Sequence, residues 1–150
     1  MENLIKNIVK EAEILKDKYM NQKGIPVYYA CIFCQTDEEY KNFIEEAYKM
    51  GKKIQERQNS LLFRITPIET SAGKLEILRV RQPDEKFPER GDADFIVNDY
   101  QSFKEKYSNQ SGFKIIPRDN SEMIELYKEG ENVRVYFSSP ELIKSLSLLN

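Results

Sequence analysis

A chain of 150 residues with 40% apolar and 32% charged side chains can bury about two-thirds of its unfolded surface, and so needs neither disulfide nor metal staples to fold. Its 23 Lys and Arg against 25 Asp and Glu leave a net charge of −2, which argues against a nucleic-acid partner, and no apolar run approaches the ~20 residues of a membrane span. There is no histidine and no tryptophan, so every mechanism that needs an imidazole as base, nucleophile partner or zinc ligand is excluded within the chain.

Residues 2–22 predict a helix. Leu4, Ile5, Ile8, Val9, Ala12, Leu15 and Tyr19 recur at three- and four-residue steps and form one apolar stripe. Asn21, Gly24 and Pro26 stop it. The stripe is expected to pack on the rest of the chain, and a homodimer is the other way to cover it. Charges run through this N-terminus and leave no signal-peptide core, so the expected location is cytoplasmic.

Val27 to Gln35 (VYYACIFCQ) reads as a buried strand. Thr36 or Asp37 then caps a helix expected to run to about Ile54, with acids in its first turn and Lys52 and Lys53 in its last. Leu61–Glu69 and Leu75–Gln82 read as a hairpin, with Pro67 marking an edge or bulge in its first arm. Residues 83–91 form a polar loop with two prolines.

The pattern then restarts. Residues 92–97 predict a strand, Tyr100 to about Ser108 a helix, and residues 113–117, 122–128 and 133–137 three more strands. Ser139 and Pro140 open a final short helix with Leu142, Ile143, Leu146 and Leu149 on its apolar face. The fold class is therefore α+β: two tandem βαββ(β) modules, 27–82 and 92–138, with a mixed, largely antiparallel sheet around a cavity. A helix over 1–24 and another over 139–150 flank them in a single domain, 1–150.

This order resembles the vicinal-oxygen-chelate superfamily of glyoxalase, bleomycin-resistance and dioxygenase proteins. DADFIVNDYQSFKEKY is similar to the family's module opening, FKIIPRDN to the next strand and its exit, and LYKEGENVRVYF to the closing hairpin. VYYACIFCQTDEEYKNFIEEAYKMG matches the same opening in the first half. A ferredoxin-like α+β sandwich is the other arrangement this order permits. The resemblance implies paired βαβββ modules around a shared cavity, with metal ligands on the first and last strands of each module in metal-dependent members. Those positions fall near Tyr29 and Asp92 on the opening strands and near Arg134 or Val135 on the closing one, with Glu76 as a distant substitute. Tyr29, Arg134 and Val135 are not such ligands, so the resemblance implies the cavity without the metal, and no cofactor is expected.

Several side chains are candidates for lining that cavity. Arg79 and Arg81 share one strand face, with Arg64 on the partner strand, and could meet a carboxylate or phosphate. Asp92 and Asp94 also share a face, and either, if buried, could act as a base. Tyr28, Tyr127 and Tyr136 fall on predicted strands. Cys31 and Cys34 spell the Cys-x-x-Cys of a dithiol, but residues three apart on a strand point to opposite faces. The strand that a thioredoxin-like fold needs between the helix and Thr66 is not predicted either, so the cysteines read as core.

The expected function is metal-free binding of a small organic ligand. The alternatives are a carboxylate-based enzyme of the same fold with a weakly held divalent cation, and a protein-interaction module that docks through the terminal helices.

Overall fold

A computed structural model describes residues 1–118 and 120–145. Its element order is α1 (Glu2–Tyr19), β1 (Val27–Phe33), α2 (Asp37–Met50), β2 (Gly51–Arg57), β3 (Ser60–Thr70), β4 (Gly73–Arg81), β5 (Gly91–Ile96), α3 (Tyr100–Tyr107), β6 (Phe113–Arg118), β7 (Ser121–Leu126), β8 (Val133–Ser138) and α4 (Pro140–Ser145). Leu146 and Leu149 lie outside the described residues.

The strands form one 8-stranded sheet in the order β2-β3-β4-β1-β5-β8-β7-β6. Within each half the first strand lies parallel to the last, β1 with β4 and β5 with β8; the remaining pairings are antiparallel. The halves join where β1 meets β5, with Tyr29 opposite Asp94 and Cys31 opposite Asp92. Exchanging the halves about that join places Tyr29 on Asp92 and Cys31 on Asp94, so YACIF and DADFI are equivalent segments.

Several boundaries fall two or three residues short of the sequence reading, among them α1 at Tyr19 and β1 at Phe33, and one departure adds a strand. The helix expected to reach Ile54 ends at Met50, and β2 follows directly. This supplies the strand that was not predicted between that helix and Thr66, and both halves are complete βαβββ modules. GKKIQER has no apolar alternation and lies mostly exposed on the sheet edge, so pairing with β3 makes it a strand. Gly51 permits the change of direction: a Cβ there would stand 2.0 Å from the Arg64 carbonyl oxygen. The expected irregularity at Pro67 is present as a register shift in β3 between Arg64 and Ile68.

Three helices cover one face of the sheet. The α1 stripe of Ile5, Ile8, Val9, Ala12 and Leu15 is buried against β1, β5 and β8, and is thus spent inside the chain. Each of its larger side chains contributes roughly 1.5–3 kcal/mol before ordering costs. Gly91 allows this approach, since a Cβ there would lie 2.3 Å from the Cys31 carbonyl oxygen and 2.8 Å from Ile8 Cδ1. Helix α2 starts at Thr36, whose hydroxyl accepts from the Glu39 amide while Glu39 accepts from the Gln35 amide. Helix α3 packs Phe103 and Tyr107 against Phe113 and Phe137. No helix among the described residues is long and apolar enough to cross a membrane.

The opposite face is partly covered by α4. Its Ile143 is fully buried among Tyr28, Leu62 and Ile77, with Tyr29 and Ile96 alongside.

Candidate functional site

Paired residues in a sheet share a face, so register alone assembles the site. One lateral row on the face opposite the three helices carries Arg79, Cys31, Asp92 and Arg134 from β4, β1, β5 and β8. The next carries Ile77, Tyr29, Asp94, Tyr136 and Glu125, the last from β7. A bulge in β1 between Val27 and Tyr29 turns Tyr28 toward the same face, and its ring lies 6.0 Å from that of Tyr29.

Asp92 and Asp94 sit at the centre, only 8% and 6% exposed. Burial, followed by the neighbouring charge of Asp94 and opposed by Arg81, Arg79 and Arg134, pushes the Asp92 carboxyl up to about 8. Burial likewise pushes Asp94 up to about 7, against the pull of the hydrogen bond from Ser138. Ser138 Oγ donates to Asp94 Oδ2 over 2.9 Å. Oδ1 of each aspartate is buried with no hydrogen-bond partner among the described residues.

The surrounding arginines direct their hydrogen bonds elsewhere. Arg79 donates from Nε to the Tyr29 hydroxyl (2.9 Å), from Nη1 to Ser60 Oγ (2.9 Å) and from Nη2 to Gln55 Oε1 (2.8 Å). Arg134 donates to Glu89 (3.0 Å) and to Glu125 (3.4 Å), and Glu125 also accepts from the Tyr136 hydroxyl (2.7 Å). Arg81 stands 3.9 Å from Asp84 and stacks over Phe87. Phe87, in the loop between the modules, is held between the guanidiniums of Arg81 (4.1 Å) and Arg134 (5.0 Å).

Of the sequence candidates, Tyr28, Arg79, Arg81, Asp92, Asp94 and Tyr136 come together on this face. Tyr127 is corrected: β7 ends at Leu126, and Tyr127 lies just past it at the margin, 4.2 Å beneath the Arg134 guanidinium. Glu76 stays outside the cluster, exposed and 3.8 Å from Arg64. The sequence reading missed Tyr29 as a polar partner of Arg79, together with Arg134, Glu125 and Ser138. Alternation with buried apolar neighbours along β8 was the available signal for Arg134 and Ser138; β1 and β7 do not alternate in that way and carried none for Tyr29 or Glu125. Glu89 and Phe87 lie in a loop and carried none.

The cysteines diverge as expected. Cys31 lies in the row between Arg79 and Asp92, and Cys34, one residue beyond β1, belongs to the core under the helices. Both thiols are free and buried, and burial raises both, Cys34 to about 12. The described open groove, about 550 Å³, lies at the end of the sheet between the 22–26 segment and the start of α3; it includes Ile96 but none of the paired acids.

No family model matches the sequence, and no curated protein does. Solved structures do match. A protein described as "Structural Genomics, Protein EC4020" superposes with a TM-score of 0.67 at 10% identity, over 95% of this chain and 88% of its own. A glyoxalase/bleomycin resistance protein/dioxygenase superfamily member from Vibrio splendidus 12B01 superposes with a TM-score of 0.52 at 9% identity, over 77% of this chain and 98% of its own. The chain has the vicinal-oxygen-chelate fold. The first and last strands of its two modules are β1, β4, β5 and β8, and the rows above lie on their face opposite α1, α2 and α3. The metal that this fold implies in some members does not suit these residues. Arg79 and Arg134 place guanidiniums in the row that holds Asp92, and the Tyr29 hydroxyl is engaged by Arg79. Among the described residues no three Cys, Asp or Glu side chains converge into a metal cluster.

Proposed function

We propose that this protein binds a small organic ligand on the sheet face over the β1–β5 join, through polar and aromatic side chains and not through a metal ion. The observation that carries the reading is the pair Asp92 and Asp94, more than nine-tenths buried, each with an oxygen that no described group meets. Native proteins rarely keep buried acceptors without partners, because each costs about 1–3 kcal/mol. Support also comes from the surroundings: tyrosine rings on either side and a few fixed polar groups, the mixture typical of small-molecule sites.

A panel of small organic molecules, added to isotope-labelled protein, tests it. The backbone amides of β1, β5 and β8 should shift for at least one compound, and the unfolding midpoint should rise with its concentration. Binding confined to the helix-covered face, or none across the panel, would overturn the reading.

A second reading, general-base catalysis by Asp92 beside a weakly held divalent cation, is favoured by one observation, the carboxyl pushed up to about 8, where a base works near neutrality. Magnesium or manganese at about millimolar concentration, the range of the loosest carboxylate sites, should then shift the same amides. Silence to both ions counts against it.

A further inference from the structure

We infer that the ligand of this face is an organic ammonium: a small amine, cationic at neutral pH, with an apolar or aromatic body. The inference rests on the reading above and names its ligand class.

The first argument is hydrogen-bond accounting. Asp92 and Asp94 stand two residues apart on β5, on one face, each with an acceptor oxygen left open. Such positions lie about 6.6 Å apart along a strand, and an ammonium, with three N–H donors, can address both carboxyls. The guanidiniums nearby do not fill that role. All three nitrogens of Arg79 donate to Tyr29, Ser60 and Gln55, and Arg134 donates to Glu89 and Glu125.

The second argument is the walls. Asp94 lies in one row between Tyr29 on β1 and Tyr136 on β8, and Tyr28 stands beside Tyr29. A cation held against a carboxylate between aromatic rings gains from both. An anion placed there would face Asp92, Asp94 and Glu125 within two adjoining rows.

The groups facing the pair are Tyr28, Tyr29 and Cys31 from β1, Arg79 and Arg81 from β4, Arg134, Tyr136 and Ser138 from β8, Glu125 from β7 and Arg118 from β6. The arginines oppose a cation at longer range. Short-range geometry favours it, because the three donors of Arg79 are spent elsewhere and one oxygen of each aspartate is not; Arg134 Nε is the one nearby guanidinium donor left buried without a partner among the described residues. Burial lifts both carboxyls toward neutral pH, so an ammonium must displace a proton to bind. Its affinity therefore rises with pH where that of a carboxylate falls.

Three probes share one body: 2-phenylethylamine, 2-phenylethanol and 3-phenylpropanoate. On the whole chain at pH 8.5, followed by amide shifts of β1, β5 and β8, the amine should bind about tenfold tighter than the alcohol, and about tenfold tighter than it does itself at pH 6. Asp92→Asn with Asp94→Asn should abolish that preference. The pH dependence is read on the unaltered chain, so the test survives a variant that fails to fold. Equal binding of amine and alcohol, preference for the propanoate, or an amine preference kept by the double variant each overturns the ammonium assignment while leaving the ligand-binding proposal standing. If no probe moves these amides, the assignment falls, and the broader panel decides the proposed function separately.

Discussion

Tyr29 and Asp94 face each other across the antiparallel join of β1 and β5, so a phenol from one module and a carboxyl from the other share one floor. Neither module holds the cluster by itself. Arg79 reaches Tyr29 from the first, Ser138 and Tyr136 line Asp94 and Asp92 from the second, and both acids are buried where the halves meet.

That burial sets a pH dependence. The folded carboxyl of Asp92 lies at about 8 and the unfolded one near the ordinary ~3.9, so the native state binds the extra proton between those values. The contribution of this group to stability is fully present below pH ~4 and is lost as the pH rises toward 8. Asp92→Asn, neutral and of the same shape, should therefore match the parent near pH 4 and exceed it by roughly 1–3 kcal/mol at pH 8.5, the usual scale for a buried group relieved of an unmet charge. Urea unfolding at the two pH values checks this. An equal difference at both would contradict it.

Arg79 should not tolerate lysine. Its fork meets Tyr29, Ser60 and Gln55 from three nitrogens, and an ammonium has no such geometry. Arg79→Lys should cost about 1–3 kcal/mol through partners left unpaired. Chemical denaturation measures it, and a loss below about 0.5 kcal/mol would show the fork to be dispensable.

Gly51→Ala should be among the most damaging single-methyl additions in the chain. The new Cβ would stand 2.0 Å from the Arg64 carbonyl oxygen and 2.7 Å from Ile65 Cα, both backbone atoms that cannot step aside. The β2–β3 edge should separate, with early amide exchange in residues 51–57 and a loss of roughly 1–3 kcal/mol. Unchanged exchange protection in β2 would refute the close approach.

The cysteines should stay silent in the native protein. Both thiols are buried and raised by that burial, and they lie on opposite sides of the sheet. Titration with a disulfide reagent should find them slow while folded and both fast in denaturant. Rapid reaction of the pair with formation of an internal disulfide would overturn the geometry.

Helix α4 buries two side chains, Leu142 and Ile143. Ile143→Ala removes what Ile143 buries among Tyr28, Leu62 and Ile77, at a cost of about 2–4 kcal/mol or the free energy of undocking the helix, whichever is smaller. Hydrogen exchange in residues 140–145 should rise well before that of β1. Unaltered protection there would show that α4 is held by something else.

The sequence alone determined the elements whose burial repeats with a period. The stripe of α1, the apolar run of β1, the module restart at Asp92 and the strand alternation that puts Asp92 with Asp94, and Arg79 with Arg81, are local patterns, because side-chain direction follows from residue spacing within one element. Tertiary structure decided what spacing cannot encode. GKKIQER became a strand through pairing with β3 at Gly51. Tyr29 met Arg79, and Arg134 met Glu89, because strand order brought together residues 50 and 45 positions apart. The acids acquired their unusual titration for the same reason: desolvation is a property of everything packed around a carboxyl, and the neighbours of Asp92 come from β1, β4 and β8.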